Sequence, residues 1–148
     1  MPSIVPSYIY TIFASIVVGA LVICACGAST LNLRTEVEKQ QLLNVAEYIF
    51  TESMALISQA KAGNVSSSVR LHVPSLIGDK NYWIRISNNS ASAWVEAGFG
   101  VVATSSERRV CIPAEVSASG SYISSSGIAT LTCHANASGV YLTLSGGN

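Results

Sequence analysis

The sequence predicts an α+β chain: a long N-terminal helix, first transmembrane and then amphipathic, followed by a small antiparallel β-sandwich head. Three observations carry this. No charged side chain occurs before Arg34. A helical apolar period follows, with no proline between Pro6 and Pro74. After Asn64 the apolar residues recur every second position instead, the period of a half-buried strand. The expected organisation is a transmembrane helix over 1–28, its amphipathic continuation over 29–63 and an extracytoplasmic β domain over 64–148.

The first element reads YIYTIFASIVVGALVICACGA from Tyr8 to Ala28. About twenty apolar residues at 1.5 Å rise cross a hydrocarbon core of ~30 Å. A single strand in lipid would leave its backbone unpaired, so the segment reads as a helix. Tyr8 and Tyr10 stand at one end, where amphipathic rings favour the interface. A cleaved secretory signal needs a basic leader, and Met-Pro-Ser supplies none, so a retained anchor is expected. Gly19, Ala20 and Gly27 are small enough to let helices approach closely.

In the second element Leu43, Ala46, Phe50, Met54 and Ile57 recur at helical spacing, widened by Leu42, Val45 and Ile49. This stripe either packs on the β domain or continues a helix–helix surface, and Leu43, Phe50 and Ile57 are the candidate assembly contacts. Ala62, Gly63 and Asn64 end the helix. With no proline between them, the two elements are expected to form one helix from about Tyr8 to about Ala60.

The head reads as six or seven short strands. Alternating runs occur at Val65–Val73, Tyr82–Ser87, Ala93–Phe99, Val110–Ile112, Tyr122–Ile123, Ala129–Cys133 and Val140–Leu144, with turn residues between them. Cys111 and Cys133 fall on separate strands and are expected to form a disulfide, which requires an oxidising compartment. Cys24 and Cys26 lie in the apolar helix, where one intervening residue points the thiols apart, so a metal pair is not expected. Asn64, Asn88 and Asn136 head N-x-S sequons at turns and are candidate glycosylation sites. Arg34 and Lys39 behind the anchor would hold the head in the cytoplasm. The cysteines, the sequons and the charge-poor head point outward, and an extracellular head is the reading adopted.

Composition excludes several functions. Charged residues are 11% of the chain, eight basic against eight acidic. No basic patch gathers phosphates, so nucleic acid is not an expected partner. Asp79 is the only aspartate, and His72 and His134 have no carboxylate at suggestive spacing. No Gly-x-Ser-x-Gly elbow is present. No enzyme activity, metal or cofactor is expected. Trp83, on a strand face with Arg85, and Trp94, with Glu96, are the candidate binding residues, although a tryptophan that covers one edge of a small core is the favoured reading of each.

The layout of apolar helix, amphipathic continuation and β head resembles that of archaeal type IV pilin-like proteins. The opening MPSIVPSYIYTIFASIVVGALVI, through Ile9, Ile12, Phe13, Ala14, Ser15, Ile16, Val17 and Val18, is similar to the N-termini of archaellum accessory, stator-type proteins. The resemblance covers roughly the first 60 residues. No basic residue precedes the helix, which favours an uncleaved or minor pilin-like component. The resemblance implies a structural or assembly component of a cell-surface filament or of its membrane-anchored machinery. The partners it implies are the membrane, further copies or other pilin-like subunits, and a surface layer. The alternative is a membrane-tethered binding module that uses the aromatic patch of the head.

Overall fold

The structure is a computed structural model and describes the backbone of residues 4–63, 65–89, 92–101, 106, 108–113, 115–136 and 139–147. One helix, α1 (Ile4–Gly63), runs through both the apolar and the amphipathic segment. The chain divides into two compact units, Met1–Val37 and Glu38–Asn148, with the division inside this helix.

In the first unit every described side chain from Tyr8 to Val37 is exposed. Tyr10 and Ile23 are each 74% exposed and Phe13 67%. Three hydroxyls here are satisfied by the helix itself. Ser15 Oγ donates to the Ile12 carbonyl at 2.8 Å, Ser29 Oγ to Ala25 at 3.0 Å and Thr30 Oγ1 to Cys26 at 2.9 Å. Such back-bonding leaves little for water to solvate. Among the described residues this is the one helix long and apolar enough to cross a membrane.

The second unit contains residues 38–63 of the helix and seven strands: β1 (Ser67–Leu71), β2 (Tyr82–Asn88), β3 (Ala93–Phe99), β4 (Arg108–Ile112), β5 (Ser117–Ile123), β6 (Ile128–Asn136) and β7 (Gly139–Gly147). They join in one open sheet of order β1-β6-β7-β5-β2-β3-β4. Cross-strand partners keep one apolar face throughout. Val69 lies opposite Leu131, Leu131 opposite Leu144, Gly120 beside Leu144, Ile84 opposite Tyr122 and Ala97, and Val95 opposite Val110. Because side chains alternate along a strand, a one-residue slip would turn this face to solvent.

The helix covers that face. Leu42, Val45, Ala46, Ile49, Leu56, Ile57 and Ala60 are buried in one cluster with the inward residues of the strands. Ser53 lies fully buried on the same face and donates to the Ile49 carbonyl at 2.7 Å. At the start of this helical stretch Glu38 is 5% exposed and accepts from Lys80 Nζ at 2.6 Å.

Two expectations need correction here. The head does not show two facing sheets among the described residues, because the layer over the apolar face is the helix. Nor is it wholly antiparallel, since β5 and β7 pair in parallel. That pair forms because β5 changes neighbour part-way. Ser117–Gly120 lie beside β7, and Ser121–Ile123 lie beside β2.

The helical stripe also resolves. Ile57 is 3% exposed within the core, and Phe50 packs half-buried against it. Leu43 is half-buried on the flank. Of the three expected assembly contacts, Ile57 is therefore occupied by the chain's own sheet. Gly19, Ala20 and Gly27 lie on exposed helix, and a methyl group built on either glycine meets nothing within 4 Å.

The expected disulfide does not form: Cys111 and Cys133 are both free thiols. Cys111 stands opposite Trp94 on the outer face of edge strand β4, whereas Cys133 is fully buried on the inner face of β6. The two strands are five positions apart in the sheet. Burial also pushes the Cys133 thiol above its ordinary value. A maleimide should therefore modify Cys111 in the folded protein and Cys133 only after denaturation, as read by intact mass. Simultaneous modification of both would contradict this placement.

Candidate functional site

The outer face of the sheet carries two kinds of surface. On β2, β3 and β4 the outward residues form rows across the strands. Arg85, Glu96 and Arg109 make one row, and Ser87, Trp94 and Cys111 the next. Glu96 is the centre. Its Oε2 accepts from Arg85 Nε at 3.0 Å and Nη2 at 2.5 Å. Its Oε1 accepts from Arg109 Nη2 at 2.5 Å and Trp94 Nε1 at 2.9 Å. The guanidinium of Arg85 lies over the Trp83 ring, 5.5 Å from its centroid, and that of Arg109 over Trp94 at 4.8 Å. Each cation thus meets a ring face and a carboxylate together.

This packing explains how a carboxylate on a solvent-side face comes to be buried, with its side chain 4% exposed. Burial alone would raise its pKa. The hydrogen bonds from Arg85, Arg109 and Trp94 and the charge of Arg85 outweigh that and hold Glu96 below the usual carboxylate range. Glu96 is therefore ionised at neutral pH with both oxygens engaged, an arrangement suited to fixing cations in place rather than to moving protons. Two guanidinium groups facing one carboxylate leave this cluster with one net positive charge.

The two candidate tryptophans separate. Trp83 is 1% exposed, so it is not a surface contact. Its ring lies over Gly98, where a methyl group would sit 2.6 Å from Cζ2, so β3 needs glycine at that position. Its indole N–H has no hydrogen-bond partner. Trp94 is the half-buried aromatic and remains the accessible one. The sequence reading placed Trp83 with Arg85 and Trp94 with Glu96, which the structure retains, but missed that the two pairs interlock through the Arg85–Glu96 ion pair and that Arg109 adds a second cation on Glu96 and Trp94. The legible signal was an acid alternating in phase with a tryptophan between two strands that each carry an arginine.

On β1, β6, β7 and β5 the outer face is almost uncharged. Ser68, Thr132, Thr143 and Ser119 stand in one row across the four strands, and Arg70, Thr130 and Ser145 in another. His134 shares a hydrogen bond with Ser66 at 2.6 Å. Where β2 and β5 part, a notch of about 390 Å³ opens, lined by Arg85, Ser87, Asn88, Ser119 and Ser121 with Ile86 and Ala118 at its base.

Asn88 and Asn136 are exposed at the ends of β2 and β6, while Asn64 lies outside the described residues. Among the described residues no three His, Cys, Asp or Glu side chains group as a metal site. No family model matches the chain, and no curated protein or solved structure is significantly similar to it.

Proposed function

We propose that the chain is a membrane-anchored structural subunit of a cell-surface assembly, with the helix as anchor and assembly element and the head outside. The observation that carries this reading is the change of surface along one helix. Residues 42–60 bury their apolar side against the chain's own sheet, whereas Tyr8 to Ile23 present apolar side chains on every side to no partner within the chain. An apolar surface of that extent is not stable in water and requires lipid or other helices. The self-satisfied hydroxyls of Ser15, Ser29 and Thr30 suit both environments. Helix before β head is also compatible with the pilin-like layout, and an uncleaved or minor pilin-like component is the finer form of the proposal. Glycans on Asn88 and Asn136 would then project from the ends of the strands.

Gly19→Leu tests the assembly role. The full chain should resist carbonate extraction from membranes and cross-link as oligomers. The variant should remain in the membrane with oligomer yield reduced about tenfold, because packing of small residues drives helix association in lipid. An impermeant maleimide should label Cys111 on intact cells. Unchanged oligomer yield would favour the alternative for which the half-buried Trp94–Arg109 stack speaks, a tethered binding module. Protection of Cys111 until lysis would place the head inside.

A further inference from the structure

We propose that the head docks on a second copy of itself, the helix flank of Leu43, Glu47, Phe50 and Met54 in one copy seating on the Trp94–Arg109 stack of the next. The contact rests on the assembly role proposed for the chain and names the surfaces through which the heads would meet. Leu43, Glu47, Phe50 and Met54 follow at i, i+4, i+7 and i+11, the spacing of one helix face. Phe50 and Met54 pack against the core, and with Leu43 they are only half-buried, so each keeps apolar surface open. Glu47 stands exposed in the middle of them. Its neighbours one turn away, Leu43 and Thr51, are uncharged, and among the described residues no cation pairs with its carboxylate.

The outer face of the sheet carries the complementary pattern. Trp94 is a half-buried aromatic with the Arg109 guanidinium 4.8 Å from its centroid, and Arg109 keeps 53% of its side chain exposed. Arg85 and Arg109 share the one carboxylate of Glu96, so this face holds a positive charge in excess. The scale agrees, since Glu47 and Phe50 stand ~4.5 Å apart along the helix axis. Each surface therefore sets one charge beside one apolar side chain, with the signs opposed. Charge also decides which surfaces meet. Two helix flanks would bring Glu47 against Glu47, and two outer faces Arg109 against Arg109, and like charges across a contact are costly. The favourable pairing is flank on outer face. Within one head the helix covers the inner face of the sheet, so these two surfaces lie on different layers and need a second copy to meet. The contact is heterologous and repeats from copy to copy, as a ring or a filament, instead of closing as a two-fold dimer.

The test uses the full chain in lipid vesicles and the native thiol of Cys111, which is exposed beside Trp94 on the neighbouring strand. Thr51→Cys places a second thiol on the exposed helix surface one turn from Glu47. A short bismaleimide should then link the introduced thiol of one copy to Cys111 of another, as read by peptide mapping. Adding Glu47→Arg should lower that link about tenfold, because it sets a cation against Arg109. Gln41→Arg, on the other flank, should leave the yield unchanged. Arg109→Glu added to Glu47→Arg should restore the link. Where that variant is poorly folded beside Glu96, the contrast between Glu47→Arg and Gln41→Arg decides. Oligomers that form without this link, that link chiefly Cys111 to Cys111, or whose link ignores Glu47→Arg would overturn the head contact and leave the assembly role of the helix standing. Absence of any oligomer would overturn both.

Discussion

Gly120→Ala should destabilise the head by about 4 kcal/mol or more, at the upper end for a single substitution. Two costs combine. At a φ of +121° the backbone holds a conformation that a Cβ disfavours. The new methyl group would also sit 2.1 Å from the Leu144 carbonyl oxygen and 2.8 Å from its nitrogen. Those are backbone atoms and cannot rotate away, so β5 must leave β7. Among the described residues no other strand joins β1, β6 and β7 to β2, β3 and β4, so that move cuts the sheet in two. Gly100→Ala is the control, because Gly100 has a φ of +107° but an added methyl group meets nothing within 4 Å. It should cost only ~1–2 kcal/mol, the conformational part alone. Chemical denaturation of the two variants reads the difference. Equal losses would mean that close approach to β7 is not what Gly120 provides.

The elements of this fold were legible because their periods are unambiguous. Alternation at Ala129, Leu131 and Cys133, or at Val140, Leu142 and Leu144, correctly sets inner against outer faces. The same parity already separated the two cysteines. Cys111 is out of phase with Val110 and Ile112, while Cys133 is in phase with Leu131. In a single sheet, residues so phased lie on opposite faces and cannot be bridged. The disulfide seemed reasonable only under a two-sheet arrangement. What was not legible is which strands are neighbours. The order β1-β6-β7-β5-β2-β3-β4 pairs Ser68 with Thr132, a contact between distant parts of the chain that no local pattern records. The parallel pairing of β5 is hidden for the same reason, and with it the notch. The helical stripe was recognised, but its centre was misjudged. The deepest positions run through Leu42, Ala46, Ile49 and Ser53, and the serine at the middle of the buried face weakens the apolar signal there. Burial of Trp83 agrees with the expectation that a tryptophan covers an edge of the core, but its depth depends on Gly98, one strand away, which no local pattern records.

Replacing Glu96 with glutamine should cost the head about 2–3 kcal/mol at neutral pH and abolish part of its acid sensitivity. Removing one partner of a buried ion pair costs about 3–5 kcal/mol when the other charge stays buried. Here Arg85 and Arg109 keep 37% and 53% of their side chains exposed, so water recovers part of that cost. Glutamine retains one acceptor oxygen for Trp94 or a guanidinium but introduces two amide donors against groups that only donate. The pH dependence follows from the lowered pKa of Glu96. A carboxyl with a folded value below its ordinary 4.5 stabilises the fold fully above that ordinary value. The stabilisation is then lost as pH falls from there through the folded value. Parent and Glu96→Gln should therefore differ most in Tm above the ordinary value and converge below it. Because every other carboxylate is common to both proteins, the difference curve isolates this one. Moderate salt should narrow the gap only slightly, since the carboxylate itself is 4% exposed. A difference that stays constant down to strongly acid pH would show that Glu96 contributes through packing alone, and that the two arginines are held over Trp83 and Trp94 without its charge.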